Sequence, residues 1–200
     1  MSTGPRRPPV AGVLLAPGAG ADRDHASLVA IEAALDPLPV RRMDFPYRRA
    51  GRRAPDREPV LVAAVVEEAA ALATELGVEP ASLVLGGRSL GGRICSLAVA
   101  QGLPARALVL VSYPLHPPGR PEKLRTAHLD ALALPCLVLS GTRDAFGSPE
   151  ELTAATAPIP GPVTHRWLEG GDHGLRGRDL AVAGEVAAWV TALGPPGPRG

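Results

Sequence analysis

One short stretch limits what this chain can fold into more than any other: Gly86-Gly87-Arg88-Ser89-Leu90-Gly91-Gly92, set between the apolar run Ser82-Leu83-Val84-Leu85 and the segment Arg93 to Ala100. The order is strand, sharp turn, helix. A serine at the tip of such a turn has a strained backbone, and side chains beside it would collide with the neighbouring strand and helix; glycine removes the collision. The turn also puts Ser89 at a helix N-terminus, where unpaired N–H groups and the helix dipole favour negative charge. With 23 glycines in 200 residues, a Gly-x-Ser-x-Gly match is weak by itself. Its placement between a buried-strand pattern and a helix carries the weight.

The rest of the chain alternates in the same way. Val10 to Leu15, Val40 to Asp44, Ala107 to Ser112, Cys136 to Ser140 and Val163 to Leu168 read as further strands. Helical spacing is expected over His25 to Leu35, from Pro59 to Leu76 with a stop at Gly77, over Glu122 to Leu132, over residues 149–157, and over Asp179 to Leu193. Strands that alternate with helices imply an α/β fold, with about six mostly parallel strands covered on both faces. One domain over 10–193 is expected, with a flexible leader over 1–9 and a disordered Pro/Gly tail over 194–200. The aromatic share is 3%, so the core must come from Val, Leu and Ala. A formal net charge of +1 gives no field to gather nucleic acid or an anionic membrane. The leader has no apolar run behind it, which argues against a signal peptide or membrane span. Cys95 and Cys136 sit in apolar segments and read as small core residues in a reducing compartment, the cytoplasm.

In a parallel sheet the functional groups belong at the C-terminal strand ends. Those ends hold Ser89, then Asp144, then His173. Serine needs a base within hydrogen-bond reach, histidine can take and return a proton near neutral pH, and a carboxylate fixes the histidine tautomer. The order serine, acid, histidine is that of α/β-hydrolases. Asp172 competes with Asp144 as the acid, but adjacent residues seldom point at one another. The oxyanion donors would be the Leu90 N–H and one from the loop after the first strand, Ala19, with Gly18 and Gly20 as alternatives. Arg88, Tyr113 and His116 lie beside the expected pocket; His116 stands between substrate contact and loop packing. Asp22, Asp24 and His25 read as a helix cap rather than as metal ligands, and no metal or other cofactor is called for. His128 and His165 have no evident partner and read as surface residues. The arginines at 41, 42, 48, 49, 52, 53 and 57 are either a solvated loop or an anion clamp over the turn.

Four segments carry a resemblance: Gly-Gly-Arg-Ser-Leu-Gly-Gly-Arg (86–93), Ser-Tyr-Pro-Leu-His-Pro-Pro (112–118) with Lys123-Leu124-Arg125 behind it, Leu-Ser-Gly-Thr-Arg-Asp (139–144), and Trp-Leu-Glu-Gly-Gly-Asp-His-Gly-Leu (167–175). Together they resemble the small lidless α/β-hydrolase family of bacterial predicted hydrolases, which is dienelactone-hydrolase-like. Its animal relatives include a testis-expressed hydrolase-like protein and a hydrolase-like subunit of a histone-acetyltransferase complex. The resemblance covers about residues 10 to 193 and implies a reduced α/β-hydrolase fold without a cap domain and a Ser89, Asp144, His173 triad. Ala16-Pro17 stand where the family has His-Gly; a backbone donor survives that change and a histidine side chain does not. The expectation is a serine hydrolase for a small ester, thioester or related acyl bond, its partner a small-molecule acyl substrate. The alternative is a catalytically weak scaffold that binds a protein partner, as the animal relatives do; the complete triad favours the enzyme.

Overall fold

A computed structural model describes residues 8–194. The expected leader and tail lie, apart from their innermost residues, outside the described part. Six parallel strands form one sheet: β1 (Gly12–Ala16), β2 (Val40–Arg42), β3 (Leu83–Arg88), β4 (Ala107–Val111), β5 (Cys136–Gly141) and β6 (Val163–Leu168), in the order β2-β1-β3-β4-β5-β6. The four central strands are buried along their whole length, as unbroken Val/Leu runs require. Their side chains alternate between two cores. Leu14, Leu83, Leu85, Leu108, Leu110 and Val138 face one layer. Val13, Leu15, Val84, Val109, Leu137 and Leu139 face the other.

Helices α1 (Ala26–Leu35) and α6 (Asp179–Ala192) cover the second face, through Leu28, Ile31, Val182, Val186 and Val190. The first face is covered by α3 (Glu58–Leu76), α4 (Leu90–Ala100) and α5 (Pro149–Thr156), through Leu61, Val65, Leu72, Ile94 and Leu152. Gly77 ends α3 in the left-handed conformation, φ 64°. The short α2 (Pro46–Arg49) stands inside the segment expected to be loop, opened by Pro46 at its first position. Among the described residues no helix is long and apolar enough to cross a membrane.

The helix expected over Glu122 to Leu132 does not form; only a 3-10 turn, Leu129–Ala131, remains of it. The Arg125 N–H donates to Leu115 O at 2.9 Å, and Tyr113 Oη donates to Arg125 O at 2.6 Å. These bonds bend residues 115–125 back onto the end of β4 and use the backbone groups a helix would need. The β4 to β5 connection is therefore a strap across the sheet end, and no cap domain rises from it. Reversal of strand order between β1 and β3 opens a crevice at their C-terminal ends.

Candidate active site

Ser89 follows β3 directly, with φ 49° and ψ −114°, a conformation that costs a non-glycine residue about 1–3 kcal/mol. Two features hold it there. Its N–H is still bonded to Val111 O of β4 at 2.8 Å, and β1 comes so close that a Cβ at Gly87 or Gly91 would collide with Ala16 O. Ser89 is the N-cap of α4, yet its side chain makes no capping bond. Its Oγ faces His173 Nε2 instead, at 2.9 Å.

His173 lies on the loop after β6, and Asp144 on the loop after β5. The two loops are laced together by Arg143 N–H to Gly171 O at 2.8 Å and Thr142 N–H to Leu168 O at 3.1 Å. The Asp144 side chain is fully buried and accepts from the Phe146 N–H at 2.8 Å and from Ser140 Oγ at 3.0 Å. Both its oxygens face His173 Nδ1, at 3.0 and 2.9 Å. A carboxylate only accepts, so Nδ1 carries the proton and Nε2 presents a lone pair to the Ser89 hydroxyl. Phe146 stacks on the imidazole, ring centroids 3.9 Å apart. Arg88 donates to His173 O at 2.6 Å and lies 3.3 Å from His25 Nε2. Burial and then the Arg88 charge lower the His25 pKa, with Asp179 and Asp22 acting the other way.

A cleft of about 630 Å³ opens over Ser89 and His173, and Gly18, Ala19, Gly20, Arg88 and Leu90 also line it. Leu90 opens α4, so its N–H is among the donors without an intrahelical acceptor. Tyr47 Oη donates to Ala19 O at 2.8 Å and fixes the loop after β1.

Other expected residues are placed elsewhere. Tyr113 and His116 are buried and do not line the cleft. Tyr113 serves the strap, with burial pushing its phenol up to about 12. His116 Nδ1 donates to Pro117 O at 2.9 Å, and its backbone N–H donates to Phe146 O at 3.1 Å. Asp172 is exposed and makes no bond to the His173 ring. His25 caps α1. His128 and His165, expected at the surface, are half-buried and bonded to Ser96 and Thr156. Arg41, Arg42, Arg48, Arg49 and Arg52 each pair with a carboxylate, and none lines the cleft. Sequence reasoning missed Phe146, Tyr47, Arg93 and Arg125. Phe146 stands two residues after the acid, a position from which a ring can reach the histidine, and Arg93 lines the cleft from one helical turn after Ser89; Tyr47 and Arg125 reach the site only through tertiary packing.

Several solved structures share this fold. An alpha-beta serine hydrolase homologue from Coxiella burnetii is 17% identical, with 91% of this chain and 88% of that one covered and a TM-score of 0.72. A putative hydrolase of the alpha/beta superfamily from Xanthomonas campestris pv. campestris is 23% identical, covering 91% and 99%, with a TM-score of 0.68. Dienelactone hydrolase from Anabaena variabilis is 16% identical, covering 92% and 88%, with a TM-score of 0.69. At these identities the likeness speaks for the fold. The family model described as alpha/beta hydrolase domain matches residues 9–189, nearly the whole chain, and the protein belongs to that family.

Proposed function

We propose that the protein is a serine hydrolase that cleaves a small ester, thioester or related acyl bond through an acyl-enzyme intermediate. The observation that carries this reading is the run of bonds from buried Asp144 through His173 to Ser89, with the proton on Nδ1. In the reaction Ser89 Oγ attacks the acyl carbonyl while its proton passes to His173 Nε2. The Leu90 and Ala19 N–H groups hold the oxyanion. His173 then gives its proton to the leaving alcohol or thiol, and water repeats the two steps to release the acid. Asp144 holds the tautomer and stabilises the imidazolium. No cofactor takes part in this route. Both cysteines are buried, which fits a reducing compartment, and we place the protein in the cytoplasm.

Steady-state hydrolysis of short 4-nitrophenyl esters and acyl thioesters tests the assignment. Ser89→Ala or His173→Ala should lower kcat by about 10⁴-fold or more, and Asp144→Asn by about 10³- to 10⁴-fold. Asp172→Asn should stay within about threefold, since an exposed carboxylate off the proton path contributes little. Loss of turnover in Asp172→Asn with activity kept in Asp144→Asn would make the acid assignment wrong.

A further inference from the structure

Among the described residues every formally charged side chain lining the cleft is an arginine: Arg88, Arg93 and Arg125 line it, and no carboxylate does. The three are not equivalent. Arg88 is spent on His173 O and His25, with the acids of Asp179, Asp144 and Asp172 acting on its charge. Arg93 shares one bond with Glu58, at 2.7 Å, while its Nε is buried without a partner among the described residues. Arg125 gives one bond to Pro114 O at 3.2 Å, and no described carboxylate pairs with it. Burial, and then Arg93 as a like charge, lower the Arg125 pKa. Two guanidinium groups thus line one cleft, and among the described residues Glu58, on Arg93, is the single acid paired with either. Their backbones are fixed, Arg93 N–H on Ser89 O at 3.1 Å and Arg125 N–H on Leu115 O at 2.9 Å. Such an arrangement is unfavourable when empty and attracts an anion.

We propose that Arg93 and Arg125 form an anion subsite of this cleft, and that the substrate is a small acyl ester or thioester bearing a carboxylate. The planar guanidinium fork matches a carboxylate in two parallel bonds. Arg93 lies one turn of α4 beyond Ser89, a rise of about 6 Å, so the carboxylate sits a few atoms from the reacting carbonyl. This inference rests on the hydrolase reading above. It also moves the anion site away from Arg41, Arg42, Arg48, Arg49 and Arg52, which the structure pairs with acids.

The test compares matched esters. 4-Nitrophenyl hemiglutarate against 4-nitrophenyl butyrate places the charge on the acyl side, and the butyrate ester of 3-hydroxybenzoate against phenyl butyrate places it on the alcohol side. In one pair at least, kcat/KM for the anionic ester should exceed the neutral one by about tenfold or more. Arg125→Gln and Arg93→Gln should each bring that ratio toward one, whereas Arg49→Gln, outside the cleft, should leave it unchanged. Ratios near one in both pairs, or a ratio untouched by both cleft variants, would overturn the subsite. Calorimetry of glutarate binding to Ser89→Ala separates the two proposals, because it needs no turnover. Glutarate binding that weakens about tenfold in Arg125→Gln, without hydrolysis of any ester by the wild type, keeps the subsite and removes the hydrolase. Hydrolysis of neutral esters with no anionic preference and no glutarate binding does the reverse.

Discussion

Ser89 with His173 at 2.9 Å and Ser96 with His128 at 2.8 Å lie at nearly the same distance, yet their protons are arranged in opposite ways. Ser96 Oγ already donates to Arg93 O at 2.7 Å, so His128 Nε2 must carry a proton and donate to it. That histidine cannot act as a base toward its serine. At Ser89 the carboxylate of Asp144 takes the Nδ1 proton, and the free lone pair faces the hydroxyl. Environment, rather than spacing, separates the proposed nucleophile from a structural hydroxyl. Phe146 belongs to the same argument, because its stack on the imidazole restrains a ring that has only two polar partners. Aromatic pairs contribute about 0.5–1.5 kcal/mol, so Phe146→Ala should lower kcat about two- to tenfold. Steady-state kinetics on a short ester check it, and the effect should fall on kcat more than on KM.

Among the elements, α4 carries the most. Its first turn holds Ser89 and Leu90, its second presents Arg93 to the cleft, and Ser96 ties it to His128 on the strap. Burial and the neighbouring Arg93 lower the His128 pKa to about 4, with Glu58 and Asp130 acting weakly the other way. The unfolded chain takes up that proton near the ordinary value of about 6.5. Between the two the unfolded state binds more protons, so stability falls as pH drops from about 6.5 toward 4. Thermal melts of the wild type and His128→Gln over that range should differ in slope, the variant being flatter; parallel curves would remove His128 from the account. The strap is also where sequence pattern and structure part company. The strands were legible because Val/Leu runs such as Ala107 to Val111 have no other stable home, α3 because Pro59 and Gly77 bound its helical spacing, and α6 by its apolar spacing alone. Glu122 to Leu132 had helical spacing too, but the contacts of Tyr113 and Arg125 with distant backbone outweighed it. The short α2 was hidden behind its arginines. At the site, the serine turn and the strand-end acid and histidine were readable from local pattern. Tyr113 and His116 are buried outside the cleft lining, because nearness in sequence to a strand end does not say which way a side chain is drawn.

The molecule as a whole places the site by topology. Strand order reverses between β1 and β3, so the loop after β1, carrying Ala19, and the turn after β3, carrying Ser89, meet across one crevice. Opposite that end, Arg106 donates to Pro8 O and to Leu193 O, each at 2.7 Å, and draws the two ends of the described chain together. Among the described residues no cap domain stands over the cleft, so Ser89 faces an open cleft. The central claim is that this serine is activated by the groups around it. Labelling of the purified protein with a fluorophosphonate probe, followed by mapping of the modified peptide, tests that claim without a chosen substrate. The account predicts one adduct, on Ser89, with labelling lost in Ser89→Ala and in His173→Ala. A folded protein that takes no label, or that keeps its label in Ser89→Ala, would contradict it and favour a scaffold that binds without turnover.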